Sequence, residues 1–363
     1  MDAGIVIIGG GLAGLYAARL LHEKGADFIL MEARQRLGGR IYSVNASGSG
    51  YEDRYDLGPS WLWPEMQPGL AALIGELNLR AFPQHSVGDV LLDTHSSQKP
   101  QRYPGMAQVP ASMRLVGGMG SLVEALACGI PDERIKLDSR VCRLALHDRG
   151  VQVGFLETGG REPTLVAERV IAAVPPRLLL SNVEFEPDID RDTARLWRDT
   201  ATWMAPHAKF FALYERPFWR EAGLSGTARS MVGPLAEIHD ATTVKGEAAL
   251  FGFVGLDWHQ RHEIGETALM EACVEQLGRI FGPAALNPKA TLFKDWADDL
   301  LTATSDDRIA NGHPVPYPGS WVTGIWEDRL SLAGSETSTT DPGYLAGAVN
   351  AARRAVSEVI PEC

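Results

Sequence analysis

The sequence predicts an α/β fold. It consists of a doubly wound, Rossmann-like domain assembled from separated segments, with an α+β domain built from the stretches between them. Three observations lead there. The chain opens on an apolar strand that runs into a glycine turn and a helix. Far downstream a second buried strand, Arg169 to Val174, is stopped by Pro175-Pro176, and a strand–turn–helix closes the chain from Leu330 to Val359. Two blocks of mixed composition separate these pieces. The doubly wound domain is therefore expected at 1–63, 112–185 and 300–363, and the second domain at 64–111 and 186–299.

The first element, Gly4 to Ile8, is continuously apolar, as a parallel strand buried on both faces must be. Gly9, Gly11 and Gly14 follow with G-x-G-x-x-G spacing. The first glycine permits a tight turn, the second lets backbone approach a pyrophosphate, and the third lets the helix pack on the strand. The helix from Leu12 to Lys24 directs its positive N-terminus, at Leu12 and Ala13, toward phosphate. Phe28 to Met31 is the second strand. Glu32 ends it eighteen residues after Gly14, where a carboxylate accepts both hydroxyls of a ribose and disfavours a 2′-phosphate. A dinucleotide is expected here. Ala33 and Arg34 flank Glu32, and Arg34 is placed to cover the ribose or the base. Gly38-Gly39-Arg40 makes a second close-approach loop whose arginine can pair with phosphate. The turn Asp56-Leu57-Gly58-Pro59-Ser60-Trp61-Leu62-Trp63 reads either as a core plug or as one wall of a ring-binding pocket.

Residues from Pro64 to Ala111 read as helices and loops. Gly117-Gly118-Met119-Gly120 introduces a helix from Ser121 to Ala127. Segments Arg134–Leu137, Val141–Leu146, Val151–Leu156 and Val166–Val174 read as a small antiparallel sheet that returns to a buried strand. The block from Glu184 to Thr291 holds a helix at Asp192–Arg198, strands at Ala208–Tyr214 and Ala248–Val254, and a helix at Thr267–Phe281. Leu330 to Glu336 is a strand entering a turn, and Leu345 to Val359 is the last helix.

Composition narrows the function. The chain is 45% hydrophobic and 22% charged, as ordinary globular proteins are. No apolar run reaches the roughly 20 residues that span a bilayer. The apolar start lacks a basic flank and is not read as a signal peptide. Cys128, Cys142, Cys273 and Cys363 are scattered, which suits reduced thiols in the cytoplasm better than a disulfide framework or zinc site. A net charge of −12 argues against nucleic acid. His207, His239, His259 and His262 match no metal-ligand pattern, and no nucleophile elbow marks a hydrolase.

Several motifs, taken in order, resemble the FAD-dependent amine oxidase family of monoamine, polyamine and L-amino-acid oxidases, over nearly the whole chain. They are Gly9 to Gly14 with Glu32, Gly38-Gly39-Arg40, the Val141 strand and Ala172 to Pro176. Lys209 through Pro217-Phe218-Trp219 and Gly334-Ser335-Glu336-Thr337 through Gly343 to Ala348 complete the set. The resemblance implies a doubly wound FAD domain and a substrate domain with a mixed sheet. It implies that Val141 holds the adenine through its backbone and that Glu336, in the turn begun by Gly334, bonds the ribityl chain. Tyr344, Leu345 and Ala348, at the start of the last helix, would face the pyrimidine end of the flavin, where a helix N-terminus stabilises negative charge. Gly58, Pro59, Ser60 and Trp61 would line the cofactor. Lys209, at the head of the apolar run Phe210 to Leu213, matches a lysine that holds a water at flavin N5. Tyr344 matches one wall of an aromatic cage that aligns the amine. Tyr317 is the candidate for the second wall, and Trp296 for another ring near the flavin. The segment Thr302–Ser320 has no cysteine, so FAD is expected to be non-covalent. The chain is shorter than most members of the family, and the substrate domain is expected to be trimmed, without a membrane anchor.

The expected reaction removes hydride from the α-carbon of a neutral amine or amino acid to flavin N5, giving an imine, with O2 reoxidising the flavin to yield H2O2. A desaturase or dehydrogenase acting on a non-amine, or a flavin protein without redox turnover, is the alternative. Substrate identity and oligomeric state are not legible.

Overall fold

The computed structural model describes residues 2–45, 51–106, 108–157, 159–309 and 312–360; Cys363 lies outside them. Strand β1 (Asp2–Ile8) leads through the glycine turn into α1 (Leu12–Glu23) and β2 (Phe28–Met31). A short antiparallel pair, β3 (Ser43–Asn45) and β4 (Arg54–Asp56), precedes α2 (Pro68–Glu76). Then come β5 (Ala81–Pro83), β6 (Asp89–Asp93), β7 (Gln101–Tyr103), β8 (Met113–Leu115) and α3 (Gly120–Cys128). Strands β9 (Ile135–Lys136), β10 (Ser139–His147), β11 (Gly150–Glu157) and β12 (Thr164–Ala172) lead to α4 (Pro176–Asn182), β13 (Glu184–Glu186) and α5 (Arg191–Asp199). The next stretch holds β14 (Ala208–Tyr214), α6 (Phe218–Glu221), β15 (Leu224–Ser230), β16 (Leu235–Asp240) and β17 (Ala248–Val254). Helices α7 (Trp258–Ile264) and α8 (Glu266–Phe281), then β18 (Ala290–Asp295), β19 (Leu330–Leu332) and α9 (Leu345–Val359), complete the chain.

Two large sheets organise these elements. The first runs β13-β10-β11-β12-β1-β2-β9, with β19 also paired to β12. Its centre is parallel: β1 pairs with β2 on one side and with β12 on the other. Val6, Ile7, Phe28, Leu30, Val170 and Ile171 are fully buried there, because helices cover both faces of a parallel sheet. Helices α1, α2, α3 and α9 share one core cluster. The β10–β11–β12 unit is antiparallel, as expected, and joins the same sheet through β12. Ile135–Lys136 corrects one expectation: β9 pairs in parallel with β2 rather than with the antiparallel unit.

The second sheet runs β18-β14-β17-β16-β15-β6-β7. It is mixed, since β15 pairs in parallel with β6 while the other pairings are antiparallel. All seven residues of β14 are buried between this sheet's two covered faces. The stretch from 64 to 111 divides between the two units. Leu70, Leu73 and Ile74 of α2 pack in the core cluster that contains α9. Strands β6 and β7 extend the second sheet, where the sequence suggested helices and loops. Gln101, Arg102 and Tyr103 are all exposed on the edge strand β7, so no burial pattern marks it.

Candidate active site

A cavity of about 530 Å³ lies where the two sheets' elements meet. Its walls come from the N-terminus of α1 (Leu12, Ala13), the N-terminus of α9 (Tyr344, Leu345, Ala348), the turn Gly58 to Trp61, and strands β14, β16 and β17. Lys209 is the charged group on β14. It is 1% exposed. Its Nζ donates to the Gly58 carbonyl (2.7 Å), to Ser60 Oγ (2.8 Å) and to the Asp56 carbonyl (3.1 Å). It also stands 4.6 Å from the ring centroid of Phe251 and 5.1 Å from that of Phe253. Burial pushes the Lys209 ammonium down to about 7, while the Asp56 carboxylate opposes the fall and Arg114 adds to it. Asp56 is buried too, and desolvation pushes its carboxyl up. Its Oδ1 accepts from Ser43 Oγ (2.5 Å) and from the Met119 amide (2.8 Å), which ties the turn to the start of α3.

The glycine turn fits a dinucleotide. Gly9 has φ +103°, and a Cβ on Gly14 would fall 1.9 Å from the Gly9 carbonyl oxygen. Glycine is thus required at both positions, for the turn and for the helix to pack against it. A Cβ on Gly39 would stand 3.3 Å from Gly11 Cα, so the two glycine loops approach backbone to backbone. A smaller cavity of about 70 Å³ adjoins this turn, lined by Gly9, Glu32, Ala33, Arg34 and Val141 among others. The smaller cavity offers a carboxylate and a strand backbone, which suits a nucleoside. The larger one begins at the α1 N-terminus, which suits phosphate, and continues into an aromatic chamber.

Two charged residues have other partners than expected. Arg40 lines the large cavity, but its guanidinium is held by Glu336 Oε1 (2.5 Å) and Oε2 (3.1 Å), Ser335 Oγ (3.1 Å) and the Trp203 carbonyl (2.9 Å). Glu336 is fully buried, is not among the residues lining the cavity, and commits both carboxylate oxygens to this ion pair. A buried carboxylate needs such a partner. Burial alone would raise Glu336, yet Arg40 beside it holds the group below the ordinary carboxylate range. Arg34 borders the small cavity but reaches back to Asp299 Oδ1 (2.7 Å) and Thr302 Oγ1 (2.9 Å). Glu32 accepts from the Gly10 amide (2.7 Å) and the Arg34 amide (2.8 Å).

Among the other expected residues, Trp296 lies on the wall, buried, with its Nε1 donating to the Leu57 carbonyl (2.9 Å). Gly11, Gly14, Gly39 and Gly334 shape the loops from behind and do not line either cavity. Tyr317 is a correction. It is not on the wall; its ring is instead engaged edge-on by Trp321 at 5.3 Å. Trp203 stands 6.5 Å from Tyr344, and His313 packs against both rings, 4.1 Å from Trp203 and 4.6 Å from Tyr344. Trp63 meets Tyr344 edge-on at 6.4 Å.

Trp203, His207 and Glu237 also line the wall and were missed from sequence, whereas Trp63 belongs to the turn already read as a possible wall of a ring-binding pocket. Trp203 precedes Met204, a non-glycine residue at φ +66°. No sequence signal announces this bend, because methionine is not a residue that favours the left-handed region.

The sequence model of the "Flavin containing amine oxidoreductase" family matches residues 12–111 and 99–360. A putrescine oxidase from Kocuria rosea is 24% identical over 83% of this chain and 84% of its own length. An L-amino acid dehydrogenase from Synechocystis sp. is 22% identical over 98% and 94%. The flavin-containing amine oxidase B of Homo sapiens is 23% identical over 98% and 86%. Among solved structures, a putrescine oxidase bound to putrescine superposes with a TM-score of 0.80 at 20% identity, covering 100% of both chains. Cyclohexylamine oxidase from Brevibacterium oxydans gives 0.80 at 19%, covering 99% of both. At these identities the superpositions speak to the fold alone.

Proposed function

The chain belongs to the flavin containing amine oxidoreductases, and from that premise we propose that it oxidises an amine or amino acid to an imine, using non-covalent FAD and O2, with H2O2 as second product. One observation carries this reading: a buried lysine on the cavity floor shares its wall with the Trp203 and Tyr344 rings and with two helix N-termini.

The residues divide the work along the strip. Val141 and Glu32 would hold the nucleoside end, and the Leu12 and Ala13 amides the diphosphate. Leu345 and Ala348, at the N-terminus of α9, would favour negative charge on the flavin ring. When bound, FAD supplies a ring that accepts two electrons and the hydrogen from the amine's α-carbon. Trp203 and Tyr344 exclude water and attract the amine through their ring faces. Amine deprotonation must come first, because an ammonium has no lone pair to stabilise the developing cation. Lys209 keeps positive charge at the floor below about pH 7, where it stabilises negative charge as O2 is reduced. Non-covalent attachment is supported by cavity walls that carry no cysteine among the described residues.

The division at 1–63, 112–185 and 300–363 against 64–111 and 186–299 is proposed to separate cofactor from substrate contacts, with α2 packing on the cofactor side. No described helix is long and apolar enough to cross a membrane. We place the enzyme in the cytoplasm, in keeping with the free thiols of Cys128, Cys142 and Cys273.

Anaerobic mixing of the yellow holoprotein with a panel of amines and amino acids tests the reading. Bleaching by at least one amine, followed by peroxide on admitting air, is expected. Persistent yellow colour with every compound would overturn it. A second reading, a dehydrogenase slow with O2, has one observation in its favour: all three Lys209 donors already go to protein oxygens. Bleaching without prompt recolouring in air would select it.

A further inference from the structure

A row of side chains crosses the floor of the large cavity. Lys209 on β14 is paired with Phe253 on β17, and Phe253 with Glu237 on β16. Directly paired residues on neighbouring strands project from the same face of a sheet. Strands lie roughly 4.8 Å apart, which puts the Lys209 and Glu237 backbones about 10 Å from each other with an aromatic ring between. All three residues line the cavity.

The charges on that wall are not equally available. Lys209 has its donors on three protein oxygens, and Arg40 is bound by Glu336. Glu237 accepts from His239 Nε2 at 2.8 Å through Oε1 only. Arg229 stands 3.6 Å from that same oxygen, with a side chain that is 73% exposed, so solvent screens it. Glu237 Oε2 takes no hydrogen bond from the described residues. The His239 contact holds the carboxyl below its ordinary range against partial burial, so the open oxygen carries charge. Trp61 lies beside it, 4.9 Å from the His239 ring and 6.3 Å from Phe253, and gives an apolar path along the row.

We propose that Glu237 is a specificity-determining carboxylate that receives a second cationic group of the substrate, so that the preferred substrate is a diamine or longer polyamine. This rests on the reading that the cavity binds an amine. A monoamine leaves Glu237 without its partner. An α-amino acid brings a carboxylate to a wall whose described cations are already paired and whose open charge is negative. His239 is a positioning residue that holds Oε1 and leaves Oε2 to the substrate.

The test compares n-alkylamines with α,ω-diaminoalkanes of equal carbon number, from butyl to octyl. Binding is measured by calorimetry on holoprotein whose flavin has been reduced with dithionite, so that no amine is consumed. A charge-assisted hydrogen bond predicts that the best diamine binds about tenfold or more tightly than its monoamine. Glu237→Gln should abolish that ratio, Glu237→Asp should keep part of it, and His239→Phe should reduce it. Turnover should show the same ratio in kcat/KM, carried by KM. Equal binding of diamine and monoamine in the unmutated protein, or a ratio unchanged in a folded, yellow Glu237→Gln protein, overturns the assignment. If diamines bind preferentially but no amine bleaches the flavin, the oxidase reading fails and the carboxylate site stands.

Discussion

Lys209 Nζ donates to the Gly58 carbonyl at 2.7 Å, which links the charged residue of β14 to the turn that carries Pro59, Ser60 and Trp61 into the same cavity. The ammonium therefore has a fixed position rather than a range of rotamers. A fixed, dry positive charge is worth far more to a developing anion than a mobile, hydrated one.

Lys209→Met removes that charge and leaves the apolar stem. Flavin reoxidation by O2 should slow by about a hundredfold, the scale seen when one preorganised electrostatic group is lost. Amine-driven reduction should change less. Stopped-flow mixing of reduced protein with air-saturated buffer measures it. An unchanged reoxidation rate would remove Lys209 from the O2 chemistry and favour the dehydrogenase reading.

The same substitution has a pH signature in stability. Burial lowers the Lys209 pKa from 10.5 to about 7. Between those values the unfolded chain binds the proton that the folded chain has released, so the lysine's penalty on folding shrinks as pH rises through that window. Below about 7 both states hold the proton and the penalty is constant. Lys209→Met should therefore be stabilising at pH near 7 by an amount that declines toward pH near 10. Thermal unfolding of both proteins across that range tests the sign; a gap that widens with pH would mean the ammonium is stabilised, not penalised, by its three acceptors.

Much of this arrangement was legible because its signals are local. The β1–α1–β2 unit shows itself through a buried apolar strand, the glycine spacing and Glu32, all within the first 32 residues. Lys209 was conspicuous as a charge heading Phe210 to Leu213. Lateral order was not legible. Glu237 reaches the cavity because β16 pairs with β17, across a register shift between Leu235 and Glu237 that no periodicity announces. Tyr317 and Trp203 were exchanged for a related reason. Both sit in irregular segments, and which ring faces Tyr344 depends on how chain far from it in sequence packs. Arg40 and Glu336 each matched a cofactor-binding role in isolation, and only their proximity, 296 residues apart in sequence, reveals the pair.

That pair makes a stability prediction. Arg40→Met leaves Glu336 fully buried without its cation, which typically costs about 3–5 kcal/mol. Glu336→Gln keeps an acceptor for Arg40, which is partly exposed, and should cost less. Arg40→Met combined with Glu336→Gln should recover part of the loss, because no charge is then left buried without a partner. Denaturant unfolding of the four proteins gives the coupling, and additive losses would mean the two residues do not act as a pair.

Gly14→Ala tests the glycine turn without touching chemistry. Its Cβ would fall 1.9 Å from the Gly9 carbonyl oxygen, so α1 must shift away from β1. Overpacking of this kind costs about 1–3 kcal/mol. The purified protein should be colourless or release its flavin on gel filtration, with a lowered unfolding midpoint. Gly25→Ala, at a position with open space but φ +68°, should cost stability through backbone strain and leave flavin content intact. Equal flavin content in both variants would separate the turn from cofactor binding.

The last prediction sets Trp203 against Tyr317. Trp203 and Tyr344 line the cavity with rings 6.5 Å apart, and the indole also packs on His313. Truncating it by Trp203→Ala removes one wall and one ring face from the amine's approach. A lost aromatic contact of about 1–2 kcal/mol corresponds to a roughly tenfold fall in kcat/KM for the best amine. Trp203→Phe should restore most of it, which a purely structural role for the indole's hydrogen-bonding edge would not. Tyr317, exposed and paired with Trp321 off the wall, should tolerate Tyr317→Phe with kcat/KM within about twofold, as surface changes do. If Tyr317→Phe instead reproduces the Trp203→Ala loss, the segment must close over the cavity during turnover, and the expectation from sequence was right about the working enzyme.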